Sequence, residues 1–273
     1  MKISMIATVL NEETNIKRVI NSIFKQTKRP DEIVIVDGGS KDRTYKILQE
    51  YAKRYRLLKV FQKKGANIPQ GRNVAIEKTK NNIIVVIDAG TVYEKNWLKN
   101  LAGGFRRDVG FGKTIPLGRD NFQKKLAKVM GQRFGSIRNM IFKKEVWKAV
   151  GGCPEDLYMA DDTVFNERIK RAGFKINYIP NAISYWEMRK NLKELKKQFY
   201  NYGYWDGIAY KRYGILPTKS KVLIIAITIL SPFYPLLWMM SQTSLFIKIY
   251  FTRFFAYMGG FWKGFFKKDE KIQ

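Results

Sequence analysis

Four aspartates and one arginine stand where chemistry could be done. Asp37 closes the apolar run "DEIVIVD" (31–37), and Asp88 closes "NNIIVVID" (81–88). Asp161 and Asp162 sit side by side in "ADDTVFNERIKRAG" (160–173), and Arg72 lies in the basic, glycine-containing stretch "KKGANIPQGRN" (63–73). A carboxylate at the end of a buried strand can accept N–H groups of a nucleobase, anchor a metal, or simply cap the turn that follows. Gly38 and Gly39 after Asp37 let the backbone pass close to a ligand. Paired acids opening a helix are held ionised by the helix field, as a general base at neutral pH requires, although N-capping accounts for one of them without any chemistry. Arg72 beside a helix N-terminus suits an anion such as a diphosphate, or else belongs to a loop that is merely solvated.

The chain excludes several alternatives. It has 273 residues with no histidine and one cysteine, Cys153. Ser-His-Asp and Cys-His catalytic units are therefore impossible, a zinc site lacks ligands, and no disulfide can form within the chain. A catalytic metal would be held by oxygen, which favours Mg²⁺ or Mn²⁺. Lys and Arg number 51 against 23 Asp and Glu, a formal charge of +28, so a polyanionic partner is expected: nucleic acid, an anionic membrane or a phosphorylated substrate. The first residues show no cleavable signal pattern.

The elements that must position these residues read as alternating strands and helices. Residues 2–10 form a strand, and 11–26 place Ile16, Val19, Ile20, Ile23 and Phe24 on one helical face. Strands follow at 31–37, 57–61 and 83–88, separated by a helix carrying Ile47, Leu48, Tyr51 and Tyr55 and by another at 70–79. The pattern predicts an α/β fold: a doubly wound, mostly parallel sheet with helices on both faces and ligands at the carboxyl ends of its strands. Further on, helices are expected at 96–105, 121–130, 144–150 and 160–173, and strands at 109–113, 138–142 and 175–180.

From about residue 191 the composition changes. "VLIIAITILSPFYPLLWMM" (222–240) runs nineteen residues without a charge, enough helix for about 28 Å of hydrocarbon. Residues 245–262 are apolar but carry Lys248 and Arg253; Arg253 at mid-bilayer would cost on the order of 2.5–3.5 kcal/mol, so an interfacial helix competes with a second span. Basic residues on both flanks put the flanks on the cytoplasmic side. The chain is thus expected to divide into a catalytic domain (1–185), an amphipathic segment (186–219), membrane-associated helices (220–262) and a basic tail (263–273).

Taken in order, "NEE" after the first strand, "VDGGSKDRT", "GRNVAI", "IDAGT" and "VWKAVGGCPEDLYMADDTVFNERIKRAG" resemble the family-2 glycosyltransferases of the GT-A fold over about residues 1–180. The resemblance implies inverting transfer of a sugar from a nucleoside-diphosphate donor, with a divalent metal on the diphosphate. It places Thr8, Asn11 and Glu12 on the first nucleotide-contacting loop, Asp37 with Gly38 at the base, and Arg72 near the nucleotide. It also puts Asp88 on the first acid of the Asp-X-Asp motif and makes Asp162, with Asp161 beside it, the catalytic base. Gly90 stands where the second acid is expected, leaving Asp88 as the one metal-binding carboxylate. A histidine sometimes found near Tyr185-Trp186 is absent, as is the Gln-X-X-Arg-Trp motif of processive enzymes, so single-sugar transfer is expected. The acceptor is expected to be lipid-linked or a glycan held at an anionic membrane. Nucleic acid is not expected as a partner, because the charge is spread along the chain and no reader motif accompanies it. A donor-binding relative without activity, and a nucleotidyltransferase, are the remaining readings.

Overall fold

A computed structural model of the chain describes residues 1–132, 135–215 and 244–267. The first ninety residues alternate β1 (Ile3–Val9), α1 (Ile16–Phe24), β2 (Glu32–Asp37), α2 (Thr44–Arg54), β3 (Leu58–Gln62), α3 (Ile68–Lys78) and β4 (Ile83–Val86). There follow β5 (Thr91–Tyr93), α4 (Trp97–Gly104), β6 (Val109–Leu117), α5 (Asn121–Met130), β7 (Met140–Lys143), α6 (Lys144–Ala149), α7 (Asp161–Arg171), β8 (Ile176–Glu187), α8 (Leu192–Tyr213) and α9 (Leu245–Phe265).

β2 and β4 are runs of β-branched residues because both faces of the sheet are covered. Ile3, Met5, Ala7 and Val9 of β1, with Ile33, Ile35 and Val85, pack under α1, α2 and α4 through Ile16, Ile20, Ile47, Leu48, Trp97 and Leu101. The alternate residues Ile6, Val34, Val36, Ile84 and Val86 face the other way, against Ile76 of α3, Val146 of α6, and Phe165 and Ile169 of α7.

Eight strands lie in the order β3-β2-β1-β4-β7-β6-β8-β5. The expectation of a mostly parallel sheet holds only for β3-β2-β1-β4. β7 runs antiparallel to β4 and to β6, and β5 antiparallel to β8. The cause is the connections: a parallel partner needs a long crossover, which the regular βα repeat supplies only as far as β4. β8 also continues past Pro180, where residues 175–180 were expected to end it. β5 pairs with residues 184–186 of β8, beyond that proline. Residues 11–15, read as helix, form a loop instead, with Asn11 at φ 53° and α1 beginning only at Ile16.

The contacts divide the chain into two compact units, residues 1–116 with 132–187, and residues 117–131 with 188–273. The first contains nearly all of the sheet. In the second, α8 and α9 meet backbone to backbone. A Cβ on Gly203 would lie 1.8 Å from the Tyr257 carbonyl oxygen, and one on Gly264 1.9 Å from that of Tyr204; Gly207 and Gly260 are as tightly placed. Asp206 is buried between them and accepts the Tyr257 hydroxyl at 2.6 Å.

Arg253, expected to burden a membrane helix, is met inside this unit. Its Nη1 donates to the Val129 carbonyl (3.3 Å), one of the last acceptors of α5, and its guanidinium lies 4.7 Å from the Phe199 ring centroid. Among the described residues no helix is long and apolar enough to cross a membrane. The charge-free run 222–240 lies outside them.

Candidate active site

The carboxyl ends of β1, β2 and β4 carry the loops in which the first candidates fall. Asn11 and Glu12 stitch the loop after β1 to the loop after β2. Asn11 N–H donates to Ser40 Oγ (2.9 Å), Asn11 Oδ1 accepts the Lys41 N–H (2.9 Å), and Glu12 N–H donates to Thr44 Oγ1 (2.7 Å). Asp37 is fully buried at the base of that second loop. Its Oδ1 accepts the N–H groups of Gly39 and Ser40 (both 2.9 Å) and Gln62 Nε2 (3.0 Å), while Oδ2 accepts the Ser40 hydroxyl. Of the two readings open for Asp37, the turn-capping one is what the geometry displays. Gly38 must be glycine, since a Cβ would stand 2.9 Å from the Ala66 carbonyl oxygen. Thr8 packs against Gly71 of α3, where a Cβ would meet Thr8 Cγ2 at 2.3 Å.

Arg72 lies in α3. The N-terminus of α3 is closed by a capping box in which Asn67 accepts the Gln70 N–H and Gln70 accepts the Asn67 N–H (2.9 and 3.0 Å), so those donors are not offered to an anion. The arginine itself is 92 % buried, and its guanidinium forms an ion pair with Asp161. Burial works against its charge, but Asp161 and the neighbouring Asp162 and Asp88 raise its affinity for the proton further. Arg72 thus ties α3 to α7. The next residue, Asn73, passed over in the sequence, makes a second tie. Its amide bonds Cys153 through both its carbonyl and its N–H, and also Trp147 Nε1 and the Glu155 carboxylate, all between 2.8 and 2.9 Å.

Asp161 and Asp162 are the first two residues of α7; neither is the N-cap, which is Ala160 in the left-handed region (φ 63°). A side chain there costs about 1–2 kcal/mol of backbone strain, spent where the paired acids are presented. Asp162 is half-exposed, with Oδ1 accepting the Thr163 N–H (2.8 Å). Asp161 is buried. Burial pushes its carboxyl up to about 6; Arg72 opposes this and Asp162 adds to it. Above pH 6 the pair with Arg72 is ionised; below it Asp161 takes up a proton and releases Arg72. Turnover at saturating donor is therefore expected to fall as pH drops through about 6, measured as a kcat–pH profile with donor Kd held as control. An acid limb that appears only near pH 4 would show that the charge on Asp161 is not needed.

Asp88 follows β4, with Oδ1 accepting the Gly90 N–H (2.9 Å) in a tight turn. Its own N–H donates to the Tyr93 hydroxyl (2.9 Å), which in turn donates to the Arg138 carbonyl (3.0 Å). Burial and the Asp88 charge push the Tyr93 phenol up, so it remains a proton donor. Asn139 beside it is a fully buried latch. It accepts Trp97 Nε1 (2.7 Å) and donates to the carbonyls of Lys113 and Ala182 and to Ser184 Oγ. Neither Tyr93 nor Asn139 was found from sequence, because their partners are scattered over ninety residues.

The family resemblance implies a divalent metal at this turn. Among the described residues no three His, Cys, Asp or Glu side chains cluster as a metal site. One carboxylate nevertheless suits Mg²⁺ or Mn²⁺ that takes the rest of its shell from a diphosphate and water.

A half-parallel sheet thus carries acids at its strand ends and at the start of α7, with Arg72 of α3 tied to that start. The sequence pattern described as "Glycosyl transferase family 2" matches residues 4–153; the chain belongs to that family and is a glycosyltransferase that takes sugar from a nucleotide-sugar. It is similar to "Glycosyltransferase AglE" of Haloferax volcanii, 26% identical over 219 residues that make up 72% of this chain and 70% of the relative. It is 24% identical over 238 residues, 77% of this chain and 74% of the relative, to a Methanococcus voltae enzyme. That enzyme is named dolichyl N-acetyl-α-D-glucosaminyl phosphate 3-β-D-2,3-diacetamido-2,3-dideoxy-β-D-glucuronosyltransferase. In fold it resembles the mannosyltransferase PcManGT of Pyrobaculum calidifontis, solved with GDP-Man and Mn²⁺. The TM-score is 0.71 at 17% identity, over 98% of this chain and 88% of that one.

Proposed function

We propose that this enzyme transfers a single sugar, with inversion, from a nucleoside-diphosphate donor to a lipid-linked or glycan acceptor at an anionic membrane, with Asp162 as general base. The observation that carries this reading is the division of labour within the acid pair. Asp161 is committed to Arg72, and Asp162, half-exposed at the same helix start, retains an oxygen for an acceptor hydroxyl.

In the reaction Asp162 holds the acceptor hydroxyl's proton as the oxygen attacks the anomeric carbon from the side opposite the diphosphate. Asp161 and Arg72 fix the start of α7 and so the position of that carboxylate. The loops after β1 and β2, sewn together through Asn11, Glu12, Ser40 and Thr44, form a wall for the nucleoside. Asp88 would hold a divalent ion, which when bound supplies positive charge to the leaving diphosphate.

The dolichyl-phosphate substrate named for the Methanococcus relative supports a lipid-linked acceptor. Membrane association with the catalytic domain on the cytoplasmic side is supported by the charge-free run 222–240 with basic flanks, and by exposed Phe246, Tyr250, Phe255 and Trp262 on α9 and Phe266 just after it.

Full-length protein in detergent, screened against UDP- and GDP-sugars with and without Mn²⁺, should gain thermal stability with at least one donor. It should then transfer that sugar to a polyprenyl-phosphate-linked glycan once per acceptor. Repeated addition, or transfer to soluble glycans alone, would overturn the proposed acceptor and mode; no donor effect at all would overturn the reading as a whole.

A further inference from the structure

Arg72 is paired with Asp161, and a second arginine stands beside the Asp88 turn. We infer that Arg138, held over the indole of Trp186 beside the Asp88 turn, binds the donor's diphosphate. This rests on the reading of the chain as a nucleotide-sugar transferase and assigns a binding residue that the motifs do not include.

Two links place Arg138 at that turn, just beyond the end of the antiparallel β4–β7 ladder at Val86 and Met140. The Tyr93 hydroxyl bridges the two backbones, accepting from the Asp88 N–H and donating to the Arg138 carbonyl. The Trp186 ring, 4.6 Å from the Arg138 guanidinium carbon, belongs to the residue of β8 that pairs with Thr91, whose N–H donates to the Asp88 carbonyl.

The side chain is also prepared for an anion. Its Nε donates to Ser136 Oγ (3.1 Å), and among the described residues the two terminal nitrogens have no acceptor. Arg138 is half-buried, and the stacking on Trp186 holds its planar fork in place before any ligand arrives. A guanidinium fixed on a ring face, with its outer edge unpaired, has the geometry for bidentate contact with phosphate oxygens. Trp186 stands close to where a histidine was looked for and not found, so the position serves here as a shelf for the cation. Asn139, locked by its own bonds to β6, β8 and α4, holds the backbone at Arg138 still.

The test is calorimetric, on detergent-solubilised full-length protein, with UDP and GDP against UMP and GMP, in EDTA and again in Mn²⁺. Arg138→Gln should weaken binding of the preferred diphosphate about tenfold or more in EDTA and leave the matching monophosphate within about twofold. Arg138→Lys, keeping charge but losing the fork, should recover part of the loss, and Trp186→Leu should reproduce part of it by freeing the side chain. Unchanged diphosphate affinity in Arg138→Gln overturns the inference. Equal loss of mono- and diphosphate also overturns it, since the residue would then be shaping the nucleoside wall. Wild-type protein that binds neither UDP nor GDP would remove the underlying reading and this inference with it.

Discussion

Asp162→Asn is expected to lower the rate of sugar transfer by roughly 10²–10⁴-fold while leaving nucleotide affinity within about twofold. The substitution keeps the shape of the side chain and its acceptor for the Thr163 N–H, so the start of α7 should be undisturbed. What it removes is the ability to take a proton from the attacking hydroxyl. Single-turnover rates and calorimetric donor affinity on the same preparation separate the two effects. Full activity in Asp162→Asn would require another base, and Asp161 could serve only by abandoning Arg72. A variant inactive because it no longer binds donor would instead make Asp162 part of the nucleotide site.

Removing one side of the Arg72–Asp161 pair should have the largest effect on stability. Both side chains are nearly buried. Arg72→Met is expected to cost about 3–5 kcal/mol, because it leaves a carboxylate without a partner in a low-dielectric setting. Asp161→Leu should cost a similar amount by stranding the guanidinium. The double variant should recover most of the loss, since two apolar side chains of like size can replace a buried ion pair at little cost. Chemical denaturation of the four proteins closes the cycle. Additive losses would mean that the two residues act independently. In every variant of the pair, turnover should fall even where the fold survives, because the start of α7 loses its anchor on α3.

The strands β1 to β4 were legible because a sheet buried on both faces favours apolar, β-branched segments, and "IVIV" within β2 and "IIVV" of β4 carry no polar residue. β5 was not. "TVY" is three residues long and exists as a strand through its pairing with β8, a contact some ninety positions away. The antiparallel placement of β7 and β6 was hidden for a similar reason: local sequence marks a strand but not its direction relative to a neighbour.

In the site, Asp88, Asp161 and Asp162 could be found because strand ends and helix starts leave a local signature. The partner of Arg72 could not, since 89 positions separate it from Asp161. The burial of its guanidinium and the carboxylate facing it are invisible in a linear motif. Tyr93, Arg138 and Trp186 belong to no motif; only the folded register brings them to one turn.

The glycine contact between α8 and α9 has a consequence for the outer surface of that pair. Helices usually meet through bulky side chains, which are consumed in the seam. Here backbone touches backbone at Gly203, Gly207, Gly260 and Gly264, so the seam needs little apolar bulk. Tyr257 and Phe261 of α9 are buried, while Phe246, Tyr250, Phe255 and Trp262, with Phe266 just past the helix end, are exposed. Small residues in the join thus go with exposed rings outside it: a thin seam under a greasy skin.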